Sequence, residues 1–258
     1  MKTEYGSITQ IQMLHIVLSQ LAIDLNCMPC ELDGEKDSFV FTTAKENPGR
    51  RPFPRSEHHF EMLSMGKSIV VSASRGILEI VKPLLAGKGR DEAFSMPFVY
   101  GHGLYYLPDL DLIKPLAQPA GFTFDMIKQP DIAALYKFEG FRNALQYDVN
   151  HPRPDVLVTL AKKDGYIAGM AGASEDCAKM WQIGMDVLPE YRNYGLAAYL
   201  VNWLTLEILK LGFVPYYGTS SSNIASQRVA HRAGYYPAWV CAYKGKFDGY
   251  ELLPASLL

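Results

Sequence analysis

The chain lacks an excess of charge of either sign. Its 258 residues carry 25 Lys and Arg against 27 Asp and Glu, a formal net charge of −2 at pH 7. Such a balance leaves no electrostatic footprint for a nucleic acid or an anionic membrane, so neither is expected as a partner. Long apolar runs are missing as well: no stretch reaches the roughly 18 residues of a membrane-spanning helix. Near the N-terminus, Ile11, Leu14, Leu18, Leu21 and Leu25 recur at helical spacing with Gln12, His15, Ser19 and Gln20 between them. That is the pattern of an amphipathic helix and not of a signal peptide. Cysteine is scarce, and four in a chain of this length do not make a disulfide framework. Cys27-Met28-Pro29-Cys30 has no second CxxC to complete a zinc site and no strand leading into it, so its thiols read as ordinary loop thiols. His58 and His59 are adjacent and point apart, which argues against a shared metal. These absences lead to the expectation of a cytoplasmic protein with free thiols and no metal.

What the chain does have is material for a core. Hydrophobic residues make up 48%, enough for two modest domains, expected at 1–118 and 119–258. The first half reads as a helix over 8–26, a strand Phe39–Thr43, a Pro-rich basic loop Asn47–Arg55, a strand Ser68–Ser72 and a helix over 75–86. Gly87-Lys88-Gly89-Arg90 lies at that helix's C-terminus, where the dipole disfavours anions, so it reads as a cap and turn. Residues 93–107 read as aromatic-rich strand and packed loop, and Leu107–Gln118, with Pro108 and Pro115, as a connection between domains. The second half reads as a strand Phe122–Ile127, short helices Pro130–Phe138 and Phe141–Tyr147, and strands Asp155–Ala161, Tyr166–Ala173 and Lys179–Leu188. Lys162-Lys163-Asp164-Gly165 joins two of those strands, and Asp-Gly between apolar runs is a strong hairpin signal.

One stretch carries most of the chemical information. In Gly184-Met185-Asp186-Val187-Leu188-Pro189-Glu190-Tyr191-Arg192-Asn193-Tyr194-Gly195-Leu196-Ala197 an apolar run stops at Pro189, and a short loop places Arg192, Gly195 and Ala197 at the spacing R-x-x-G-x-A. An amphipathic helix over 196–211 follows, with Leu196, Leu200, Leu204, Ile208 and Leu211 on one face and Gly212 as its cap. A strand, a glycine loop and a helix N-terminus in succession present backbone N–H groups to an anion, with the helix dipole assisting. Downstream, Phe213–Thr219 reads as a buried strand. Asn223 reads as the N-cap of a helix Ile224–Ala233, Gly234 as its C′ residue, and Tyr235–Lys244 as the final strands.

These residues, in this order, resemble the GNAT superfamily of acyl-CoA-dependent N-acyltransferases. Val187-Leu188-Pro189-Glu190-Tyr191-Arg192-Asn193-Tyr194-Gly195-Leu196-Ala197 is similar to V-x-P-x-x-R-x-x-G-x-G/A. Asn223-Ile224-Ala225-Ser226-Gln227-Arg228-Val229-Ala230-His231-Arg232-Ala233-Gly234-Tyr235 is similar to N-x-x-S-x-x-V/L-x-x-x-x-G-F/Y. The resemblance covers the C-terminal half. It implies an α/β fold with a mixed, mostly antiparallel central sheet flanked by helices, joined here to a smaller N-terminal α/β domain that could be a degenerate copy. It also implies that acetyl-CoA is the cosubstrate. The pyrophosphate would lie on Arg192, Asn193, Tyr194, Gly195, Leu196 and Ala197, the pantetheine on the main chain of Val187, and Asn223 and Ser226 near the thiol end.

The implied reaction is direct attack of an amine, of a small molecule or a peptide, on the thioester. An amine near pKa 10 must first lose its ammonium proton, and a carboxylate or a relayed water can take it. Ala230 stands where many relatives carry a general-acid Tyr, and Trp181 where many carry a Glu. The nearest replacements are Ser226 as proton donor and Glu175 or Asp176 as base, with Asp186 a further carboxylate beside the cofactor strand. The alternative reading is a non-catalytic acyl-CoA-binding module. A homodimer is compatible with either.

Overall fold

The computed structural model describes residues 8–34 and 38–247. The outer ends of the two expected domains, residues 1–7 and 248–258, lie outside the described residues. In chain order the elements are α1 (Gln10–Leu25), α2 (Pro29–Leu32), β1 (Ser38–Thr43), β2 (Phe60–Ser64), β3 (Ser68–Ala73), α3 (Arg75–Leu85) and α4 (Arg90–Phe94). They continue with β4 (Val99–Pro108), β5 (Thr123–Lys128), β6 (Asp155–Lys163), β7 (Tyr166–Glu175), β8 (Met180–Val187), α5 (Leu196–Lys210), β9 (Val214–Ser220), α6 (Ile224–Arg232) and β10 (Tyr235–Gly245). Two compact units result, and both differ from a simple cut of the chain. Of the described residues, one comprises 8–16, Tyr106–Thr219 and Asn223–Pro237; the other comprises 17–34, 38–105, Ser220–Ser222 and 238–247.

In the first unit β5, β6, β7 and β8 pair antiparallel in sequence order. The crossover through α5 then sets β9 parallel to β8. The β6–β7 hairpin turns at Asp164 and Gly165, with φ of 51° and 83°, as Lys162-Lys163-Asp164-Gly165 predicts. α5 is not the one-sided helix its leucine spacing suggests. Ala198, Tyr199, Val201, Asn202, Thr205, Leu206 and Leu209 are buried along with Leu196, Leu200, Leu204 and Ile208. Leu211, expected on the apolar face, is the C-cap residue and is exposed. The buried Asn202 is satisfied three times: it accepts from Leu116 N at 3.1 Å and donates to Lys114 O at 3.1 Å and Ala233 O at 3.0 Å. This amide fastens the Pro-rich connection to α5.

Residues 130–147 also depart from expectation. Only a 3-10 turn forms at Asp131–Leu135, and Phe141–Tyr147 is a single turn rather than a helix, with Ala144 N and Leu145 N both bonded to Phe141 O. The turn at 141–145 is held by the carboxylate of Asp186, described below.

In the second unit β1 and β3 run parallel over their whole length, and β2 pairs antiparallel with β3 and β10. One face carries the apolar cluster of Phe60, Met62, Ile69, Val71, Ile77, Val81 and Phe98. Its parallel pair has a strand, not a helix, between its members, unlike the β8–α5–β9 crossover. In α1 the buried stripe is Met13, Val17, Leu21 and Leu25, whereas Ile11 is exposed. Arg51 forms a buried ion pair with Asp24, Nε to Oδ2 2.5 Å, and Arg55 donates to Lys45 O and Asp24 O. The basic loop is thus tied down rather than solvated.

Candidate functional site

The site begins where two strands part. β8 and β9 pair from Met180↔Val214 to Ile183↔Tyr217 and no further. Yet β8 continues to Val187 and β9 to Ser220. On its other edge β8 stays paired with β7 as far as Gly169↔Val187. Gly184–Val187 therefore present one edge of main-chain donors and acceptors with no strand partner among the described residues. Such groups must meet water or a ligand, and an extended ligand can take them as an added strand would.

At the end of this open edge lies the glycine loop. A 3-10 turn, Pro189–Tyr191, follows β8. Asn193 and Gly195 then take φ of 68° and 83°. Gly195 is the N-cap of α5 and makes no side-chain cap. Tyr199 N is the first amide of the helix to bond back, to Gly195 O at 3.2 Å, so the amides before it are the unsatisfied donors of a helix start. Residues 192–195 are exposed, Leu196 is buried and Ala197 half-buried. Left-handed residues followed by a helix N-terminus form a concave set of N–H groups suited to an anion. A Cβ on Gly195 would meet nothing closer than Pro119 Cγ at 4.0 Å, so the glycine answers to its positive φ rather than to crowding. Arg192 Nε points back to Val187 O at 3.4 Å.

Past the fork, Asn223 caps α6 by accepting from Ser226 N at 3.1 Å. The Ser226 hydroxyl lies 2.7 Å from the hydroxyl of Tyr217. Tyr217 is the last β9 residue paired to β8, and it is buried. Burial pushes its pKa up from the usual tyrosine value, the Ser226 hydrogen bond opposes this, and the negative charge of Asp186 adds to the rise. Tyr217 therefore keeps its proton at neutral pH. Sequence reasoning missed it. The available signal was strand alternation, which sends Tyr216 and Tyr217 to opposite faces. Ala230, in α6, is fully buried and supplies no hydroxyl.

The four carboxylate and aromatic candidates separate clearly. Asp186 accepts from Asn143 N at 2.7 Å, Ala144 N at 3.1 Å and Asn143 Nδ2 at 2.6 Å. Gly172 and Gly184, a cross-strand pair, make the seat for that turn. A Cβ on Gly172 would fall 1.8 Å from Ala144 O, and one on Gly184 1.7 Å from Asn143 O. Asp186 is thus a clamp on residues 143–144. Asp176 is buried and engaged by Ser174 Oγ at 2.7 Å, by the Tyr216 hydroxyl and by Arg153 Nη1 at 3.4 Å; Arg153 also donates to Gln182 at 3.0 Å. Trp181 is buried and stacks on Phe213 with ring centroids 4.2 Å apart. Glu175 is half-buried and directly across from Trp181 on β7. It lies on the closed side of the fork, about two residues, or roughly 7 Å, along the strands from Ile183 and Tyr217. Among the described residues, no group of three or more His, Cys, Asp or Glu could hold a metal ion, and no helix is long and apolar enough to cross a membrane.

Fold and site define an α/β domain whose sheet opens between two parallel strands beside a helix start with exposed amides. Residues 124–235 match the family model described as Acetyltransferase (GNAT) family. Among solved structures, a GNAT-family protein from Novosphingobium aromaticivorans is 21% identical over 55% of this chain and 62% of its own, with a TM-score of 0.39. One from Colwellia psychrerythraea is 16% identical over 60% and 61%, with a TM-score of 0.43. A structure from Salmonella typhimurium, described with its cofactor acetyl-CoA, is 17% identical over 53% and 99%, with a TM-score of 0.37. The chain thus covers less than two thirds of the first two structures' length. No curated protein matches the sequence.

Proposed function

We propose that the chain transfers an acetyl group from acetyl-CoA to an amine of a small molecule or peptide. The observation that carries this reading is the open edge Gly184–Val187 ending in the left-handed loop at the start of α5. The edge accepts an extended, amide-bearing arm, and the loop accepts the pyrophosphate at its end. Residues 192–197 would hold the pyrophosphate and Val187 the pantetheine. Asn223, whose Oδ1 is occupied by capping, keeps its Nδ2 donors for the thiol end.

Chemistry then falls to groups at the fork. Glu175, through a water, takes the ammonium proton that the attacking amine must lose. The amine nitrogen forms the new C–N bond as the C–S bond breaks, and the second proton it sheds in becoming an amide restores, through solvent, the hydroxyl that protonates the thiolate. The departing thiolate takes its proton from the Ser226–Tyr217 hydroxyl pair, which supplies the acid that Ala230 does not. A backbone N–H of the open β8 edge polarises the thioester carbonyl. Asp186 positions residues 143–144, since using it as a base would break three hydrogen bonds.

A second reading, binding without turnover, is favoured by Trp181 and Ala230 in the places of Glu and Tyr. Thiol release from acetyl-CoA across a panel of amines separates the two. Turnover on any amine supports transfer; cofactor binding with no turnover on all of them supports the binding module.

A further inference from the structure

We propose that Lys163 is the residue that recognises the 3′-phosphate of coenzyme A, a specificity determinant at the rim of the cofactor site. The proposal rests on the cofactor reading above. Lys163 closes β6 at the hairpin turn, and its Nζ lies 5.7 Å from the ring centroid of Phe122 and 5.7 Å from that of Tyr194. The two rings meet edge to face, 5.5 Å apart at 65°, and Tyr191 braces Phe122 from another side at 6.2 Å and 86°. Tyr194 stands between the two positive-φ residues of the anion loop, Asn193 and Gly195. The cation and the phosphate loop therefore share one aromatic side chain.

The neighbouring lysine shows the contrast. Lys162 is neutralised by Asp125 at 2.8 Å. Lys163 forms no ion pair among the described residues, and its Nζ is flanked by two rings. A cation over aromatic faces keeps its charge and loses part of its freedom, which prepares it for an anion. In coenzyme A the 3′-phosphate lies one ribose beyond the pyrophosphate, and a compact ammonium suits a phosphate as a point charge. With the pyrophosphate on residues 192–197, a further anionic group of the same ligand would find a cation beside the loop, joined to it through Tyr194.

The test compares coenzyme A with 3′-dephospho-coenzyme A by calorimetry on the full chain, as wild type, Lys163→Ala and Lys163→Arg. Wild type is expected to prefer coenzyme A by about tenfold. Lys163→Ala should bring the two ligands close to parity by weakening coenzyme A alone, and Lys163→Arg should restore most of the preference. The preference should shrink as salt is raised. An unchanged preference in Lys163→Ala, or equal weakening of both ligands, overturns the proposal and leaves the cofactor reading standing. Wild type binding neither ligand overturns both.

Discussion

The chain contains two parallel strand pairs and treats them differently. β1 and β3 match residue for residue from Ser38↔Ser68 to Thr43↔Ala73, and all six residues of β3 are buried. β8 and β9 match only from Met180↔Val214 to Ile183↔Tyr217, although the strands have eight and seven residues. Full-length pairing satisfies the edges that β1 and β3 turn to each other, and β1 keeps only its outer edge, at the end of the sheet, unpaired among the described residues. Partial pairing leaves donors and acceptors free beside a glycine loop. The same secondary structure thus makes a core in one place and a slot in the other, and the deciding feature is where the pairing stops.

Gly195→Glu attacks the open pair most severely. It places an acid on the anion nest and strains a residue at φ 83°, so coenzyme A affinity should fall by about 100-fold or more, since two tenfold steps cost only about 2.7 kcal/mol. Unchanged affinity by calorimetry would remove the loop from the site. Tyr217→Phe tests the fork chemically: kcat should drop about 100-fold while cofactor affinity stays within about twofold. A loss of affinity with kcat retained would mean that Tyr217 only packs. Gly184→Ala drives a methyl group into Asn143 O and should cost on the order of 3 kcal/mol, read by urea denaturation; wild-type stability would contradict the seat described for residues 143–144. On the closed pair, Ile69→Ala should cost about 2–4 kcal/mol and leave coenzyme A affinity of the folded protein unaltered. A change in affinity would show that β1–β3 serves more than the core.

The smallest effect concerns the CxxC. Burial first, then the charges of Glu31 and the neighbouring Cys30, pushes the Cys27 thiol up to about 12. The thiolate is the reactive form and is populated only as pH rises towards that value, so Cys27 should resist alkylation at pH 8 while exposed Cys30 reacts. Mass spectrometry after iodoacetamide reads this directly. Rapid modification of both would reopen a redox role.

Much of the first unit was legible in the sequence. The hairpin at Asp164-Gly165 and the cap at Asn223 depend on bonds between residues close in the chain, and so does the left-handed Gly195. Such features are dictated by local sterics and capping chemistry. Tyr217 beside Ser226 was not legible, because strand and helix meet only after folding. Nor was the use of Asp186, whose partners Asn143 and Ala144 lie more than forty positions away. The single turn that replaces the expected helix at Phe141–Tyr147 is likewise held from a distance, by that carboxylate on Asn143 N and Ala144 N.

The sequence by itself determined the hairpin at Asp164-Gly165, the glycine loop after β8 and the cap at Asn223. Those follow from local sterics and capping chemistry. Only the tertiary structure decided that β8 and β9 part after Ile183 and Tyr217, that Asp176 and Asp186 are tied into hydrogen-bond networks, and that a tyrosine stands in the fork. Each depends on which remote groups compete for the same donor or acceptor, and that competition exists only once the chain has packed.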